Sequence, residues 1–243
     1  MRHVGVDGCK SGWLAVRRSG VGLDYRLGSR IEDLARAFPE AERMLIDIPI
    51  GLPWVDAPIR PCDRLARQIL GKPRRSSVFA VPCREALAAE DPNAARRTNK
   101  THVGRSLGVQ TLGISPKIAE VDRFLRAGGA GSGTIREIHP EVCFWALAGR
   151  KPMRHSKTTV EGRVERLRVL QCYEPSVEVF LREVLSKTLR KDVQADDVLD
   201  ATAAFVTAEA RHGELASLAG APSQDLAGLP MEMVYLRTWE EVV

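Results

Sequence analysis

The chain has 243 residues, of which 44% are hydrophobic and 28% are charged, with a formal net charge of +5. This length and balance are typical of a soluble globular protein with one full core, and the lack of any run of about 18 apolar residues argues against a membrane-spanning helix. The five cysteines are widely spaced without a Cys-x-x-Cys pair and no signal peptide precedes the first strand-like run, so we expect a cytoplasmic protein without a zinc ribbon or a disulfide scaffold.

Five elements are predicted before residue 50, and two of them carry an aspartate near their end. The hydrophobic pattern predicts strands at 3–7, 13–17, 21–27 and 44–49, with a helix at 31–38 after the third strand. Asp7 ends the first strand, and Asp47 interrupts an otherwise apolar run of the kind that is buried on both faces. A buried carboxylate without a partner is costly, so both aspartates are candidates for a functional site.

Residues 53–116 then break the simple alternation of strands and helices. We expect a largely helical insertion that covers or shapes the site, within one domain that spans residues 1–243. Between Arg60 and Arg105 the sequence has eleven Lys or Arg and four acids, an excess of seven that is larger than the excess of the whole chain. Such a segment suits a polyanionic substrate, although a solvated surface explains the charge alone at least as well.

The second half of the chain is predicted to be mostly helical. We expect helices at 117–126, 141–148, 161–170, 177–189 and from about 195 to 211, a glycine loop at 128–133, and strands at 134–140 and 233–236. Glu137 lies near the end of the first of these strands. Glu141 follows Pro140 in the first turn of a helix, where the helix dipole favours an acid, so it is not assigned to the site.

The last long helix carries a second pair of carboxylates. Asp197 and Asp200 are three residues apart and therefore lie on one face of the helix. Asp196 or Asp197 could cap the helix, but capping does not explain Asp200, which is flanked by Leu199 and Ala201. The pair therefore predicts a cation site on this face.

Acids at the ends of neighbouring strands share one edge of a sheet, and a helix that crosses this edge adds its own pair. Two carboxylates about 4 Å apart repel by on the order of 4 kcal/mol at an effective dielectric near 20, so a cation is expected among them. Hard oxygen ligands without paired thiols or clustered histidines favour Mg²⁺ or Mn²⁺ over zinc. The predicted metal ligands are Asp7, Asp47, Asp200 and Glu137, and the predicted catalytic set adds Asp197 as a further ligand or water-orienting group. Two such ions would support attack of water on a phosphodiester.

Several motifs resemble a known family. They are 6–13 (VDGCKSGW), 46–53 (IDIPIGLP), 75–79 (RSSVF), 116–122 (PKIAEVD), 137–142 (EIHPEV) and 228–232 (GLPME). In this order they resemble domain of unknown function 429, a family described as predicted nucleases of ribonuclease H-like fold. The resemblance implies an α/β fold with a mixed five-stranded sheet flanked by helices and an insertion after the fourth strand. The Asp197 and Asp200 pair on the last helix is similar to the acidic pair of Holliday-junction resolvases. Because those proteins often form dimers, we also expect a homodimer.

Basic and hydroxyl side chains in or beside these motifs are candidates for holding phosphate oxygens. They are Lys10, Arg75, Ser76, Lys117, Lys157 and Arg163. The sequence has no groove-reading module such as a zinc finger or a basic recognition helix, so the expected partner is DNA or RNA bound without sequence specificity.

Two other functions remain open at this point. A sugar-kinase-like phosphotransferase of the same fold would bind ATP phosphates with the loop at residues 7–12, although a second glycine-rich phosphate loop is missing. A non-catalytic member would bind nucleic acid or a protein, and its retained carboxylates would then be unexplained.

Overall fold

The computed structural model describes residues 2–129 and 134–239. Its centre is a five-stranded mixed sheet in the order β3-β2-β1-β4-β5. The strands are β1 (His3–Cys9), β2 (Gly12–Ser19), β3 (Gly22–Gly28), β4 (Arg43–Ile46) and β5 (Ile135–Glu137). Strand β2 is antiparallel to both of its neighbours, whereas β1, β4 and β5 are parallel to one another.

Helices cover both faces of this sheet. They are α1 (Ile31–Ala37), α2 (Pro61–Arg74), α3 (Arg84–Leu87), α4 (Pro92–Val103), α5 (Val109–Arg126), α6 (Pro140–Leu147), α7 (Val160–Gln171), α8 (Val177–Lys187) and α9 (Ala195–Glu209), with a 3₁₀ turn at Arg75–Ser77. The predicted mixed α/β class, with a five-stranded mixed sheet flanked by helices, is confirmed. None of the helices in the described ranges is long and apolar enough to cross a membrane.

Alternation along the strands decides which side chains meet which helices. Val4 and Val6 of β1 share a core with α1 and α5, and Ile46 of β4 belongs to the same core. Leu45 of β4 instead packs in the core that contains α6, α7, α8 and α9. Asp7 directly follows Val6, and Asp47 directly follows Ile46. Because successive side chains point to opposite faces, both aspartates point toward the face that α9 covers.

Helix α9 lies unusually close to β1 because Gly5 has no side chain. A Cβ atom at Gly5 would lie 2.1 Å from the backbone nitrogen of Phe205 and 2.3 Å from the carbonyl oxygen of Ala201. Any larger residue would push the helix away from the strand. The close approach fixes the start of α9 beside the end of β1, which is where Asp200 and Asp7 lie.

The segment between β4 and β5 is held to the rest of the fold by two arginines. Arg60 is fully buried, pairs with Glu137 of β5, and has Nη1 3.3 Å from Asp63 Oδ1. Arg84 pairs with Asp122 at 2.7 Å and also with Asp225 of the C-terminal loop. A part of the basic charge predicted for a substrate is therefore neutralised inside the protein.

Some element boundaries differ from the prediction. Helix α5 begins at Val109 and runs through Pro116, whereas the predicted helix began at residue 117. The proline removes one backbone donor, but the turn before it is intact and the Ser115 hydroxyl donates to the Thr111 carbonyl at 2.8 Å. The predicted glycine loop at 128–133 lies mostly outside the described residues.

Two small sheets near the C-terminus complete the described fold. Strand β6 (Gly213–Ser217) pairs with β9 (Val234–Thr238), which corresponds to the predicted last strand. Strand β7 (Ser223–Gln224) pairs with β8 (Pro230–Met231). The sequence did not predict β6, β7 or β8, because two of them have only two residues and β6 is mostly half-buried.

Candidate functional site

Three of the predicted carboxylates come together at one end of the sheet. Asp7 lies near the end of β1, Asp47 directly follows β4, and Asp200 lies in the second turn of α9. Because β1 and β4 are parallel neighbours, their carboxyl ends reach the same edge. Asp7 is 6% exposed and Asp200 is 1% exposed, so most of their charge is removed from water.

The carboxyl groups of Asp7 and Asp47 interact electrostatically. Burial, followed by the charges of Asp47 and Asp200, raises the pKa of Asp7 well above its usual range. Burial also raises the pKa of Asp47 to about 7, with a further contribution from Asp200. Closely spaced carboxylates retain a proton at neutral pH in this way unless a cation neutralises them.

Lys157 is the cation nearest to Asp200. Its Nζ donates to Asp200 Oδ2 at 2.6 Å and lies 4.0 Å from Asp196 Oδ2. The charge of Asp200 raises the pKa of Lys157, and Asp7 and Asp47 act in the same direction. The other oxygen of Asp200, Oδ1, is buried and has no hydrogen-bond partner among the described residues. The single ammonium of Lys157 therefore neutralises several carboxylates, and one oxygen of Asp200 is left without a hydrogen-bond donor among the described residues.

Glu141, which the sequence did not assign to the site, is a fourth carboxylate of this cluster. It is 5% exposed, and its Oε1 accepts from Arg166 Nη2 at 2.5 Å. Its Oε2 is buried without a hydrogen-bond partner in the part of the chain that the structure describes. Burial raises the pKa of Glu141, and the charge of Asp200 raises it further, so the two carboxylates interact. The motif at 137–142 contained Glu141, but its position in a first helical turn offered a simpler explanation.

The structure places Glu137, a predicted metal ligand, on the opposite face of the sheet. Glu137 pairs in register with Ile46, whose side chain faces α1 and α5, so the Glu137 side chain leaves the sheet on that face, although Glu137 and Asp47 both line a second, small cavity. It accepts from the backbone nitrogen of Ile50 at 2.6 Å and from the guanidinium of Arg60. We therefore assign Glu141, and not Glu137, to the carboxylate cluster.

The cluster on that opposite face has the composition of a metal site but already contains a cation. One ligand atom from each of Cys62, Asp63 and Glu137 lies within 4.8 Å of the others. The fully buried guanidinium of Arg60 is paired with two of these three side chains. Burial raises the pKa of the Cys62 thiol above its usual range, which does not favour a thiolate ligand. This cluster is accounted for as a structural ion pair.

Asp197 combines the two roles that the sequence left open. Its Oδ2 accepts from the backbone nitrogen of Gln194 at 2.9 Å as part of a capping box. It also lines the cavity above the cluster, and burial raises its pKa to about 6. One carboxylate oxygen thus fixes the helix start while the side chain faces the site.

The carboxylates open into a cavity of about 460 Å³. The insertion and the start of α5 form one wall, the loop at 156–158 forms another, and Asp7, Asp47, Glu141 and Asp197 lie among the lining residues. Of the predicted phosphate-binding residues, Ser76, Lys117 and Lys157 line this cavity.

The other three predicted phosphate-binding residues are not part of the described lining. Lys10 is exposed in the turn between β1 and β2, and Arg75 is exposed in the 3₁₀ turn, where its neighbour Arg74 faces the cavity instead. Arg163 donates to the carbonyl of Thr158 at 3.2 Å, so it supports the loop that carries Lys157.

Two further cavity residues are held by specific interactions. The ammonium of Lys117 lies 4.4 Å from the centre of the Trp13 ring and donates to the carbonyl of Gly12. His139 accepts from the Glu141 backbone nitrogen through Nδ1 at 3.2 Å, and its Nε2 lies 3.4 Å from the Ser77 carbonyl. Burial lowers the pKa of His139 to about 4, so the ring is neutral at pH 7 and fixes the position of Glu141.

Comparison with known proteins gives one match. A family model described as "Protein of unknown function (DUF429)" matches residues 5–224, which contain all of the carboxylates and cavity residues described above. No curated protein and no solved structure matches the chain.

Proposed function

Since the chain belongs to the domain of unknown function 429 family, and the matched family model is described only as a protein of unknown function, we propose a function from the site: a divalent-metal-dependent phosphodiester hydrolase, acting as a nuclease on a ribonuclease H-like fold. The fold part of the proposal is supported by the strand order β3-β2-β1-β4-β5 with β2 alone reversed against its neighbours. It is also supported by carboxylates at the ends of β1 and β4 that face a helix from late in the chain.

The observation that carries the proposal is the convergence of four carboxylates from four separate elements. Asp7, Asp47, Glu141 and Asp200 interact electrostatically, and Lys157 is the lysine bound among them. Two buried oxygens, Asp200 Oδ1 and Glu141 Oε2, lack protein partners within the described ranges. A buried unsatisfied acceptor costs about 1–3 kcal/mol, and a bound cation would satisfy both oxygens.

The donor set is that of a hard divalent cation, although among the described residues no three of these carboxylates have oxygens within 4.8 Å of one another. An ion bound here would draw them together. Carboxylate oxygens without a neighbouring thiolate or metal-type histidine are the ligands of Mg²⁺ and Mn²⁺. Asp7, Asp47 and Asp200 would hold such an ion, with Glu141 as the fourth carboxylate. When bound, the metal supplies activation of water and neutralisation of charge on a phosphodiester.

The side chains of the cavity supply binding and orientation. Lys157 and Arg74 would hold non-bridging phosphate oxygens, and Ser76 would donate a hydrogen bond. Asp197, whose pKa is raised to about 6, would accept a hydrogen bond from the attacking water and orient it. Interactions of this kind reach phosphate and not base edges, which fits a nucleic-acid substrate that is bound without sequence specificity.

The geometry of the first hairpin does not favour the phosphotransferase alternative. Cys9 pairs with Gly12, so only Lys10 and Ser11 form the turn between β1 and β2. A two-residue turn offers fewer backbone N–H donors to a nucleotide phosphate than a longer glycine-rich loop does.

The test is metal-dependent cleavage by the purified protein. Single-stranded, duplex, branched and hybrid nucleic acids are incubated with Mn²⁺ or Mg²⁺ and with wild type, Asp47→Asn or Asp200→Asn. We expect both substitutions to reduce cleavage at least about 100-fold, since each removes a negative metal ligand. Asp56→Asn, an exposed position outside the described cavity lining, is the matched control and should retain wild-type activity. Cleavage that persists in both cluster variants would come from a contaminant and would refute the proposal.

A further inference from the structure

The shape of the cavity restricts which phosphodiester can reach the carboxylates. Asp7 and Glu141 line the cavity but are only 6% and 5% exposed, and Asp200, 1% exposed, lies behind the lining residue Lys157 that it binds, so the carboxylates are recessed and not on an open surface. Walls rise on two sides, from the insertion at 74–79 and from the loop at 156–158. A phosphate must therefore descend between these walls before it meets the cluster.

The volume suits one nucleotide unit. The cavity measures about 460 Å³, which is within the range of roughly 300–1,000 Å³ that holds a single small ligand. Duplex DNA is stiff, with a persistence length of about 50 nm, and it keeps its phosphates on the outside of a wide rod. A single strand is flexible enough to direct one terminal nucleotide inward.

Part of the cavity lining is apolar and offers a face for a base. Phe79, Ile48 and Ile114 line the cavity beside the polar groups. The Phe79 backbone is fixed because its carbonyl accepts from Arg67 at 2.8 Å. A half-buried aromatic ring on a fixed backbone is the kind of surface on which any base stacks without sequence preference.

The rim of the cavity is basic where the two walls meet. Arg74 Nη2 donates to the Arg154 carbonyl at 3.4 Å, so the insertion and the loop after α6 touch each other there. Lys72, Arg75 and Arg154 are all exposed on these two segments. Each of them is within two residues of a residue that lines the cavity, so these charges border it and could meet the next phosphates of a strand.

From these features we infer that the site takes the terminal nucleotide of a single strand, while the following phosphates lie on the rim formed by Lys72, Arg75 and Arg154. The inference rests on the proposed phosphodiesterase function and deepens it. The enzyme then acts from strand ends, and a covalently closed strand or a blunt duplex is a poor substrate.

The first experiment compares three forms of one sequence of DNA in Mn²⁺: a linear single strand, the same strand closed into a circle, and a blunt duplex. We expect wild type to degrade the linear strand at least about tenfold faster than the other two, with short products released from one end. Nicking of the circle at a rate comparable to that of the linear strand overturns the inference.

The second experiment tests the rim. Arg75→Gln/Arg154→Gln removes two rim charges, and Arg26→Gln/Arg190→Gln removes two exposed charges that are not part of the described cavity lining. Because the rim variant can no longer neutralise two phosphates of the strand, we expect its KM for a twelve-nucleotide strand to rise by about tenfold, with no rise in the control. Hydrolysis of a dinucleotide, which is too short to reach the rim, should be unchanged. Equal effects on the dinucleotide and the longer strand, or no effect on either, overturn the inference.

Failure of the proposed function gives a different result. If wild type cleaves no substrate, including the dinucleotide, the hydrolase proposal fails. The preference for strand ends is then tested by comparing the binding affinities for the linear strand and the circle. Fluorescence anisotropy with the internally labelled linear strand and circle, in Ca²⁺, should show at least about tenfold tighter binding of the linear strand. Equal affinities overturn the inference.

Discussion

The two faces of the central sheet each bury a group of carboxylates, and the two groups differ in their cation. On the α1 side, Glu137 and Asp63 surround the fully buried guanidinium of Arg60. On the α9 side, the partly exposed Lys157 reaches Asp200 from a loop, and buried oxygens of Asp200 and Glu141 keep unused acceptor capacity. The number of carboxylates therefore does not distinguish a functional cluster from a structural one. What distinguishes them is whether the neutralising cation is a fully buried side chain, as Arg60 is, or a partly exposed one on a loop, as Lys157 is.

Removing the permanent cation should have the largest effect on stability. In Arg60→Met, Glu137 and Asp63 stay buried without their partner, and breaking a buried ion pair in this way costs about 3–5 kcal/mol. Urea unfolding in EDTA measures the loss. Arg64→Met, at an exposed position of the same helix, should change the unfolding free energy by less than about 0.5 kcal/mol. A loss below about 1 kcal/mol for Arg60→Met would contradict the structural assignment of this cluster.

Removing a carboxylate from the α9-side cluster should increase the unfolding free energy, whereas Arg60→Met should decrease it. The pKa of Asp47 is raised to about 7 by burial, so folding favours its protonated form. Its contribution to the unfolding free energy is therefore lost as pH rises from about 4, the unfolded value, to about 7. We expect Asp47→Asn to be more stable than wild type at pH 8 in EDTA, by on the order of 2–4 kcal/mol, and to lose this advantage near pH 4.

Urea unfolding at pH 4.5 and pH 8 checks this expectation, with Asp56→Asn as the control that follows wild type. An Asp47→Asn protein that is no more stable than wild type at pH 8 would mean that the carboxylate is already neutralised by the protein. The α9-side cluster would then resemble the α1-side cluster, and the comparison would fail.

Replacing Lys157 tests whether its charge can be supplied by a metal. In EDTA, Lys157→Met should lose about 2 kcal/mol, because Asp200 is left buried without its 2.6 Å partner. Saturating Mn²⁺ at 100 times its dissociation constant contributes about 2.7 kcal/mol and should restore the variant. Arg60→Met should not be restored by Mn²⁺. Thermal unfolding with and without Mn²⁺ measures both, and equal rescue of the two variants would contradict the distinction.

The sequence predicted those site residues that can be identified from their own strand or helix. Asp7 and Asp47 could be identified because each lies at the end of an apolar strand, and Asp200 because a carboxylate in a small-residue apolar helix needs a partner. The five-stranded mixed sheet was implied by the resemblance to the family, and that resemblance is confirmed by the match over residues 5–224.

The rest depends on interactions between distant residues. Whether Glu137 faces α1 or α9 is set by its register with Ile46, and a shift of one residue would reverse it. Glu141 becomes a buried carboxylate because Arg166, 25 positions away, packs against it. The basic segment at 60–105 loses Arg60 and Arg84 to internal ion pairs that also span long separations. None of these partners can be read from local spacing.

The assignment of Glu141 instead of Glu137 to the cluster leads to the prediction with the smallest expected effect. Glu141→Gln keeps the shape of the side chain but removes negative charge beside the unpartnered Oε2, so we expect Mn²⁺ to bind about tenfold more weakly, equivalent to about 1.4 kcal/mol. Glu137→Gln should leave Mn²⁺ affinity unchanged while lowering the unfolding free energy, because its carboxylate serves Arg60 on the other face. Isothermal titration of Mn²⁺ into both variants separates the two residues. Weaker Mn²⁺ binding in Glu137→Gln with normal binding in Glu141→Gln would return the metal to the ligand set that the sequence alone predicted.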